Sequence, residues 1–358
     1  MSERSVTHVR PLPCEAALPG AWRLAGTALG FREVALLGRG QERPEVVPVE
    51  AATALGDPAL TAAIGRAAAS RDPVVGLSAM ATGRPAVMGI VNVTPDSFSD
   101  GGLYDDAERA IAHGHELAKD GADILDIGGE STRPGATPVP PEEERSRVIP
   151  VIEGLRRTGL KLPISIDTRN AETARAALDA GADLINDVSA LTHDPRMPDL
   201  IRERVAFNPP ALCLMHALGD PQTMQLDPRY SDVLLDVYDF LEQRLQVAED
   251  LGIPRSRVLA DPGIGFGKNL GHNLALIRGF SIFHTLGAPL LLGVSRKRFI
   301  GTIGGASNGA SRMPGSLGAS LFALSQGVHV VRVHDVAETV QAIRLWYALT
   351  TGWPGELI

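Results

Sequence analysis

The sequence predicts an α/β protein whose main body is a (β/α)8 TIM barrel, with a small N-terminal extension or subdomain. Short apolar runs recur eight times after about residue 85, and stretches of helical character separate them. The chain has 358 residues, whereas a barrel of this type needs about 250. We therefore expect an extension of unknown role over residues 1–84 and the barrel over residues 85–358. A doubly wound open sheet is the structural alternative.

The extension contains few predicted elements. Two short strands are predicted over residues 31–37 and 45–50. The Asp57-Pro58 pair predicts the start of a helix, because aspartate caps the first free N–H groups and proline suits the first turn. No catalytic motif falls in this segment, so we interpret it as an appended subdomain or a partly ordered arm. A regulatory or partner-binding module is the alternative.

The barrel strands are predicted from apolar runs, which are typical of strands buried on both faces of a parallel sheet. These runs cover residues 87–91, 124–127, 164–166, 184–185, 212–215, 258–259, 290–292 and 328–333. Helices are predicted between them, for example over residues 105–119, 142–157, 171–180 and 231–251. Eight alternations of strand and helix indicate a closed barrel.

Composition and charge argue against several classes of protein. The formal net charge of −8 and the sequence pI near 5.6 disfavour nucleic acid as the main partner. The two cysteines, Cys14 and Cys213, are too few for a disulfide framework, which favours a cytoplasmic location. We find no signal-peptide core and no run of about 18 apolar residues, so we expect no membrane partner.

Polar residues end or directly follow every predicted strand of the barrel. In chain order they are Asn92, Asp126, Asp167, Asn186 with Asp187, His216, Asp261, Ser295-Arg296-Lys297, and Arg332 with His334. Chemistry in these barrels gathers at the carboxyl ends of the strands, so the side chains are expected to face one mouth. Arg332 and His334 are two residues apart, which directs both to the same side of their strand.

Two long loops rich in turn-forming residues follow the first two strands. They cover residues 92–102 and 128–135. Loops of such length without secondary structure are uncommon unless they are functional or disordered. The second loop combines glycine amides, hydroxyl groups and Arg133, which together suit an anion such as phosphate.

These motifs resemble those of dihydropteroate synthases, a family of the folate pathway. The matching segments are 89–102 (GIVNVTPDSFSDGG), 126–135 (DIGGESTRPG), 165–168 (SIDT), 185–187 (IND), 214–216 (LMH), 261–268 (DPGIGFGK), 293–297 (GVSRK) and 332–335 (RVHD). They occur in the order of the family and cover the chain from about residue 85. The family often has a glutamine two positions after the histidine, where this chain has Ala217-Leu218.

The resemblance implies a transferase that joins 6-hydroxymethyl-7,8-dihydropterin diphosphate to 4-aminobenzoate. The products would be 7,8-dihydropteroate and diphosphate. The resemblance also implies Mg²⁺ as the cofactor, with Asn92 as a ligand, because Mg²⁺ keeps waters and takes phosphate oxygens. It further implies a homodimer and competition between sulfonamides and 4-aminobenzoate.

The same resemblance implies the roles of individual residues. Catalytic roles fall on Lys297, Arg332 and His334. The pterin diphosphate would be bound by Thr132, Asp167, Asn186, Asp261, Lys297, Arg332 and His334, and 4-aminobenzoate by Ser131, Thr132, Arg133, Phe266 and Ser295. A carboxylate and an amide are suited to the guanidine-like edge of a pterin. Asp126 would support only the metal region or the loop geometry.

Other functions stay open at this stage. A methyltransferase that uses a pterin or folate would share the acidic contacts but lack the loop at 92–102 and the Ser131-Thr132-Arg133 element. A non-catalytic pterin-binding paralogue would have lost some of the site residues, whereas this chain retains them. A barrel enzyme of unrelated phosphate chemistry is the third alternative. A P-loop at 262–269 is excluded, because Pro262 and Asn269 replace residues that it requires.

Overall fold

The computed structural model describes residues 6–41, 43–93, 103–130, 139–219 and 223–352. The N-terminal part forms an antiparallel sheet with short helices beside it. Its elements are β1 (His8–Glu15), β2 (Trp22–Arg23), β3 (Leu29–Leu37), β4 (Glu45–Pro48), α1 (Val49–Ala54), α2 (Pro58–Ala68) and α3 (Ser78–Ala81). Strand β3 pairs with the other three strands. The Asp57 side chain accepts from the N–H groups of Ala59 and Leu60, which confirms the predicted cap of α2.

Eight parallel strands follow, and they confirm the predicted barrel. They are β5 (Ala86–Asn92), β6 (Ile124–Gly128), β7 (Ile164–Asp167), β8 (Leu184–Asp187), β9 (Ala211–Met215), β10 (Val258–Asp261), β11 (Leu291–Leu292) and β12 (Val330–Val333). Their order is β10-β9-β8-β7-β6-β5-β12-β11. A single parallel bridge between Ala260 and Leu290 joins the two outer strands, so the sheet nearly closes on itself.

Helices surround the barrel and connect its strands. They are α4 (Leu103–Lys119), α5 (Pro141–Arg157), α6 (Ala171–Asp179), α7 (Met197–Val205), α8 (Val233–Asp250), α9 (Leu270–Arg278), α10 (Arg298–Gly304), α11 (Met313–Leu324) and α12 (Val336–Thr351). A 3₁₀ segment, Phe280–Leu286, precedes β11. Within the described residues, we find no helix with the length and apolar character that crossing a membrane requires.

The interior of the barrel has an apolar layer at the amino ends of its strands. Met88, Ile124, Leu184, Leu259 and Val330 belong to one buried cluster there. Residues of the segment 74–80 close this layer from below. Because side chains alternate along a strand, the inward position two residues further on lies toward the carboxyl end. At that position the residues become polar, and the site is built from them.

The N-terminal subdomain has its own apolar core, which includes Leu24, Phe31, Val34 and Ile64. It docks beside the amino end of β12 and on the 3₁₀ segment before β11. The Arg66 side chain donates to the carbonyl of Thr285 at 2.6 Å, and Arg71 donates to that of His284 at 2.9 Å. Because β12 begins after His329, this contact lies on the side of the barrel opposite its mouth.

Two buried histidines, His284 and His329, lie at this contact with their ring centroids 5.5 Å apart. One ring nitrogen of His329 lies 3.1 Å from the Ala25 carbonyl, and the other accepts from the N–H of Leu290. Burial, together with the nearby Arg71 guanidinium, lowers the pKa of His329 to about 3. Burial also lowers the pKa of His284 well below its usual range.

We predict that acid weakens the protein through His329. Its folded pKa lies below its unfolded value of about 6.5, so its contribution is complete above about pH 6.5 and is lost as pH falls toward 3. Moving from about pH 7.5 to about pH 5 should cost about 2 kcal/mol through this histidine alone. Urea unfolding of wild type and of His329→Gln measures it.

The variant should lose less stability over this pH range than wild type does. His113→Gln, which replaces a partly exposed histidine of α4, is the matched control and should behave like wild type. Equal losses in wild type and in His329→Gln would contradict the prediction.

Candidate active site

The polar layer of the barrel lies directly above its apolar layer. Asp126, Asn186, Asp261 and Arg332 each stand two residues after a member of the apolar cluster on the same strand. These four residues were predicted from the sequence as polar strand ends. Asp126, however, lies in the middle of β6 and not at its end, so it is completely buried beneath the mouth.

Arg332 is the centre of this layer. Its Nε donates to Asp126 Oδ2 at 2.5 Å, and its Nη2 donates to Asp167 Oδ2 at 2.8 Å. Asp126 also accepts from Ser165 Oγ at 2.6 Å and from Asn186 Nδ2 at 3.2 Å. The structure therefore gives Asp126 more contacts than the support of the metal region or of loop geometry expected from the sequence would need. Ser165 was missed, although its inward parity with Asp167 could have identified it.

Asp167, at the end of β7, is the second carboxylate partner of Arg332. Its Oδ1 is buried and accepts no hydrogen bond from the described residues. Burial raises the pKa of the Asp167 carboxyl, the Arg332 guanidinium opposes the rise, and the neighbouring Asp126 carboxylate adds to it. A buried acceptor without a partner needs a ligand group or water to satisfy it.

Asp261 and Lys297 form the opposite side of the site. Asp261 Oδ1 accepts from the Gly263 N–H at 2.8 Å, and burial raises the pKa of this carboxyl against the opposing charge of Lys297. Burial lowers the pKa of Lys297 to about 8. Lys297 Nζ donates to the carbonyl of Ile264 and lies 4.7 Å from the centre of the Phe266 ring. A carboxylate, an ammonium and an aromatic face thus adjoin one another.

The turn after β11 is held in a strained conformation. Arg296 has a φ of 57°, in the left-handed region that a residue with a Cβ rarely adopts. Its Nε donates to Asp335 at 3.1 Å, and its N–H donates to Ser316 Oγ at 2.8 Å. On either side of this residue stand Ser295 and Lys297. The strained residue therefore lies between two predicted site residues at the mouth of the barrel.

Ser295 and His334 also meet in the structure. Ser295 Oγ lies 2.9 Å from His334 Nδ1 and accepts from the His334 N–H at 3.2 Å. This pair joins the ends of β11 and β12, so it brings a residue predicted for one substrate next to a residue predicted for the other.

Part of the predicted site lies outside the described residues. Ser131, Thr132 and Arg133 fall there, as does the loop at 94–102. Asn92 is described and is half-buried at the end of β5. Among the described residues, we find no cluster of three or more histidine, cysteine, aspartate or glutamate side chains that could hold a metal. A metal at Asn92 would therefore depend on oxygen ligands other than such a cluster.

A cavity of about 240 Å³ opens beside Phe266. It lies between the loops that follow β8 and β9, and its wall includes Arg169, Val188, Ser189, Met224 and Phe240. The site thus combines buried acceptors, two cations and an aromatic ring with adjoining open space. This arrangement suits a flat, polar heterocycle that carries a charged substituent.

Comparison with known proteins relates this chain to a family of pterin-binding enzymes. The sequence model described as "Pterin binding enzyme" matches residues 88–334, which leaves the N-terminal subdomain outside the match. The dihydropteroate synthase of Neisseria meningitidis serogroup B is 47% identical over 271 residues, covering 74% of this chain and 93% of that protein.

Solved structures give the same result. The dihydropteroate synthase of Xanthomonas albilineans with 4-aminobenzoic acid is 50% identical, with a TM-score of 0.69 and coverage of 74% of this chain and 93% of that one. The Xanthomonas albilineans enzyme in complex with 7,8-dihydropteroate is 46% identical, with a TM-score of 0.67 and coverage of 74% and 94%.

We predict that Asp126→Asn lowers the free energy of unfolding by about 2–4 kcal/mol, because it leaves Arg332 with one carboxylate partner in a buried layer. Urea unfolding near pH 7.5 measures the change. Asp120→Asn replaces an exposed aspartate after α4 and is the matched control, expected to stay within about 0.5 kcal/mol of wild type. A loss no larger than that of the control would show that Asp126 does not anchor Arg332.

Proposed function

This chain belongs to the dihydropteroate synthase family of pterin-binding enzymes, and from this premise we propose how its barrel mouth works. Enzymes of this family transfer the pterinylmethyl group of 6-hydroxymethyl-7,8-dihydropterin diphosphate to 4-aminobenzoate. The observation that carries the proposal is the convergence of Asp167, Asn186, Asp261, Lys297 and Arg332 on one polar layer at the carboxyl ends of the barrel strands.

The pterin ring would lie over the polar layer. Its guanidine-like edge offers parallel N–H donors, which a buried carboxylate such as Asp261 accepts. Asn186 offers both a donor and an acceptor and so complements the mixed part of the ring edge. Asp167 Oδ1 supplies one more acceptor that the described residues leave unused. Buried polar groups of this kind discriminate strongly against rings that cannot pair with them.

Bond breaking would depend on the charges around the methylene carbon. The C–O bond to diphosphate breaks and its electron pair leaves with the diphosphate, while the arylamine nitrogen forms the new C–N bond and later loses a proton. A growing positive charge on the pterin is stabilised by the buried carboxylates Asp126, Asp167 and Asp261. Arg332 donates two hydrogen bonds, to Asp126 and to Asp167. We therefore propose that its charge holds these carboxylates in place and also attracts the diphosphate.

The outer part of the mouth would hold 4-aminobenzoate. Phe266 offers a ring face for stacking, and Ser295 offers a hydroxyl group beside His334. Ser131, Thr132 and Arg133 are proposed for the remaining contacts, with Thr132 and His334 also binding diphosphate. Lys297 lies between the two substrates, because it interacts with Asp261, proposed for the pterin, and its Nζ is 4.7 Å from the centre of the Phe266 ring, proposed for 4-aminobenzoate.

We propose Mg²⁺ as the cofactor, with Asn92 as its protein ligand. The amide oxygen of Asn92 is a hard, neutral donor of the kind that Mg²⁺ takes, and diphosphate oxygens and waters would supply its other ligands. When bound, the ion would neutralise charge on the departing diphosphate.

The central experiment measures diphosphate release from 6-hydroxymethyl-7,8-dihydropterin diphosphate. We expect release that requires both 4-aminobenzoate and Mg²⁺, with one dihydropteroate formed for each diphosphate. Chelation by EDTA should abolish release and added Mg²⁺ should restore it. A sulfonamide should raise KM for 4-aminobenzoate without changing kcat. Release that does not respond to 4-aminobenzoate would contradict the proposed reaction.

Two substitutions test the proposed residues. We predict that Lys297→Ala and Arg332→Ala each lower kcat/KM for dihydropteroate formation by about 10²- to 10³-fold, because each removes a charge from a site shielded from water. Steady-state kinetics on protein shown to be folded by circular dichroism measures this loss. Lys161→Ala replaces an exposed lysine before β7 and should retain wild-type kinetics. Near-normal turnover of either site variant would overturn its assignment.

We propose that the protein acts in the cytoplasm as a homodimer. Phe322, Leu345 and Leu349 are exposed large apolar residues on the adjacent helices α11 and α12. Such a patch is typical of a surface that another subunit covers. Light scattering should give the mass of a dimer for wild type and a lower mass for Leu345→Glu combined with Leu349→Glu. Leu55→Glu, at an exposed leucine of the N-terminal subdomain, should leave the mass unchanged.

A further inference from the structure

The loop after β10 is held almost entirely by side chains. From Ile264 to Lys268, five consecutive carbonyl groups each accept a hydrogen bond from a side chain. The donors are Lys297 for Ile264, Gln225 for Gly265, Lys268 for Phe266, Tyr230 for Gly267 and Asn273 for Lys268. A loop in which each carbonyl has such a partner has little freedom to change its path.

The glycines of this loop allow it to press against the segment after β9. Gly263 has a φ of 67°, and a Cβ there would stand 1.9 Å from the His216 carbonyl oxygen. Gly267 has a φ of 64°, and its Cβ would stand 2.3 Å from the carbonyl oxygen of Leu218. Only glycine fits these two positions, so the loop and the segment after β9 behave as one packed unit.

Lys268 lies at the centre of this unit and is 2% exposed. Its Nζ lies 2.8 Å from His216 Nδ1, and it donates to the carbonyl groups of Phe266 at 3.0 Å and of His216 at 3.2 Å. Burial lowers the pKa of Lys268 well below its usual range, and these three groups surround its nitrogen and leave it no further position for a hydrogen bond. The His216 ring packs edge-on against Phe240, with ring centroids 4.8 Å apart.

Burying a lysine is costly, and an apolar side chain of similar length would fill the same space at a lower cost. What lysine adds is a set of directional hydrogen bonds to a loop and to the strand end beside it. Phe266, which offers its ring to the mouth, is one of the residues held in this way. Its neighbours in the loop include Ile264, whose carbonyl accepts from Lys297.

We propose that Lys268 is a positioning residue for the second substrate, acting together with Tyr230. It fixes the Gly263–Gly267 loop so that Phe266 and Lys297 stand where 4-aminobenzoate must enter. This inference rests on the proposed function for the identity of the substrate. Lys268 itself makes no contact with substrate, because its three donor positions are filled by the loop and His216. Small displacements of positioned groups cost much of the rate in reactions of this kind.

Lys268→Met tests the proposal in the full-length protein, since methionine keeps the length of the side chain but donates no hydrogen bond. We expect kcat/KM for 4-aminobenzoate to fall about tenfold, mainly through KM. Amide hydrogen exchange of residues 263–268 should become faster while the rest of the barrel stays protected. Lys268→Gln, which keeps an N–H donor, should recover part of the loss. Lys161→Met, at an exposed lysine, is the matched control.

Tyr230→Phe is a gentler test for the case in which Lys268→Met does not fold. It removes one hydroxyl group that donates to the Gly267 carbonyl at 2.8 Å. We expect KM for 4-aminobenzoate to rise about threefold, as the loss of one hydrogen bond would allow. Tyr347→Phe removes a hydroxyl group that donates to the Thr82 carbonyl at the same distance, away from the mouth, and should change no kinetic constant.

The outcomes separate this inference from the proposed function. Wild-type protein that forms no dihydropteroate would overturn the function and, with it, the assignment of the second substrate. Active wild type with unchanged KM in Lys268→Met and Tyr230→Phe would overturn the inference alone. Loss of kcat in proportion to the folded fraction, with KM unchanged, would mean that Lys268 only stabilises the fold, and would likewise overturn the inference.

Discussion

Burial of a permanent positive charge inside the barrel is the constraint on which the site depends. Arg332 keeps its charge at any ordinary pH, and it stands directly above an apolar layer. Its two carboxylate partners, Asp126 and Asp167, compensate that charge, which water reaches only in part. Removing one member leaves the other charges without this compensation, so the cluster depends on all three members. The low dielectric of this largely buried layer strengthens each remaining interaction with a ligand.

The closure of the barrel adds a second constraint. Strand β11 has only two residues and meets β10 through a single bridge, yet it leads directly into Ser295 and Lys297. The 3₁₀ segment Phe280–Leu286 comes before this weak strand and is the surface on which the N-terminal subdomain packs. A segment outside the family match therefore supports the strand that carries two predicted site residues.

The sequence predicted the strands and the polar strand ends because both signals are local. An apolar run buried on two faces and a polar residue at its carboxyl end can be recognised without knowing which strands are neighbours. The contacts of Asp126 could not be predicted in the same way, because its main partner is Arg332, which is 206 positions away in the chain. Lys268 was passed over for the same reason. In sequence it ends a glycine-rich motif, and only the fold places His216 against its ammonium group.

The charges of the site also limit where the two ends of the first substrate can lie. The carboxyl groups of Asp126, Asp167 and Asp261 adjoin Arg332 and Lys297 in the polar layer, and Arg332 already pairs with two of them, so this layer has little free positive charge to offer a diphosphate. A cationic pterin in the same place would be stabilised. In the proposed reaction the ring therefore lies on this layer, and the diphosphate lies on the outer side of Arg332, toward the outer loops. As the C–O bond breaks, the carboxylates would then stabilise the positive charge on the pterin, and the cationic groups farther out would stabilise the negative charge on the diphosphate. The reaction requires both.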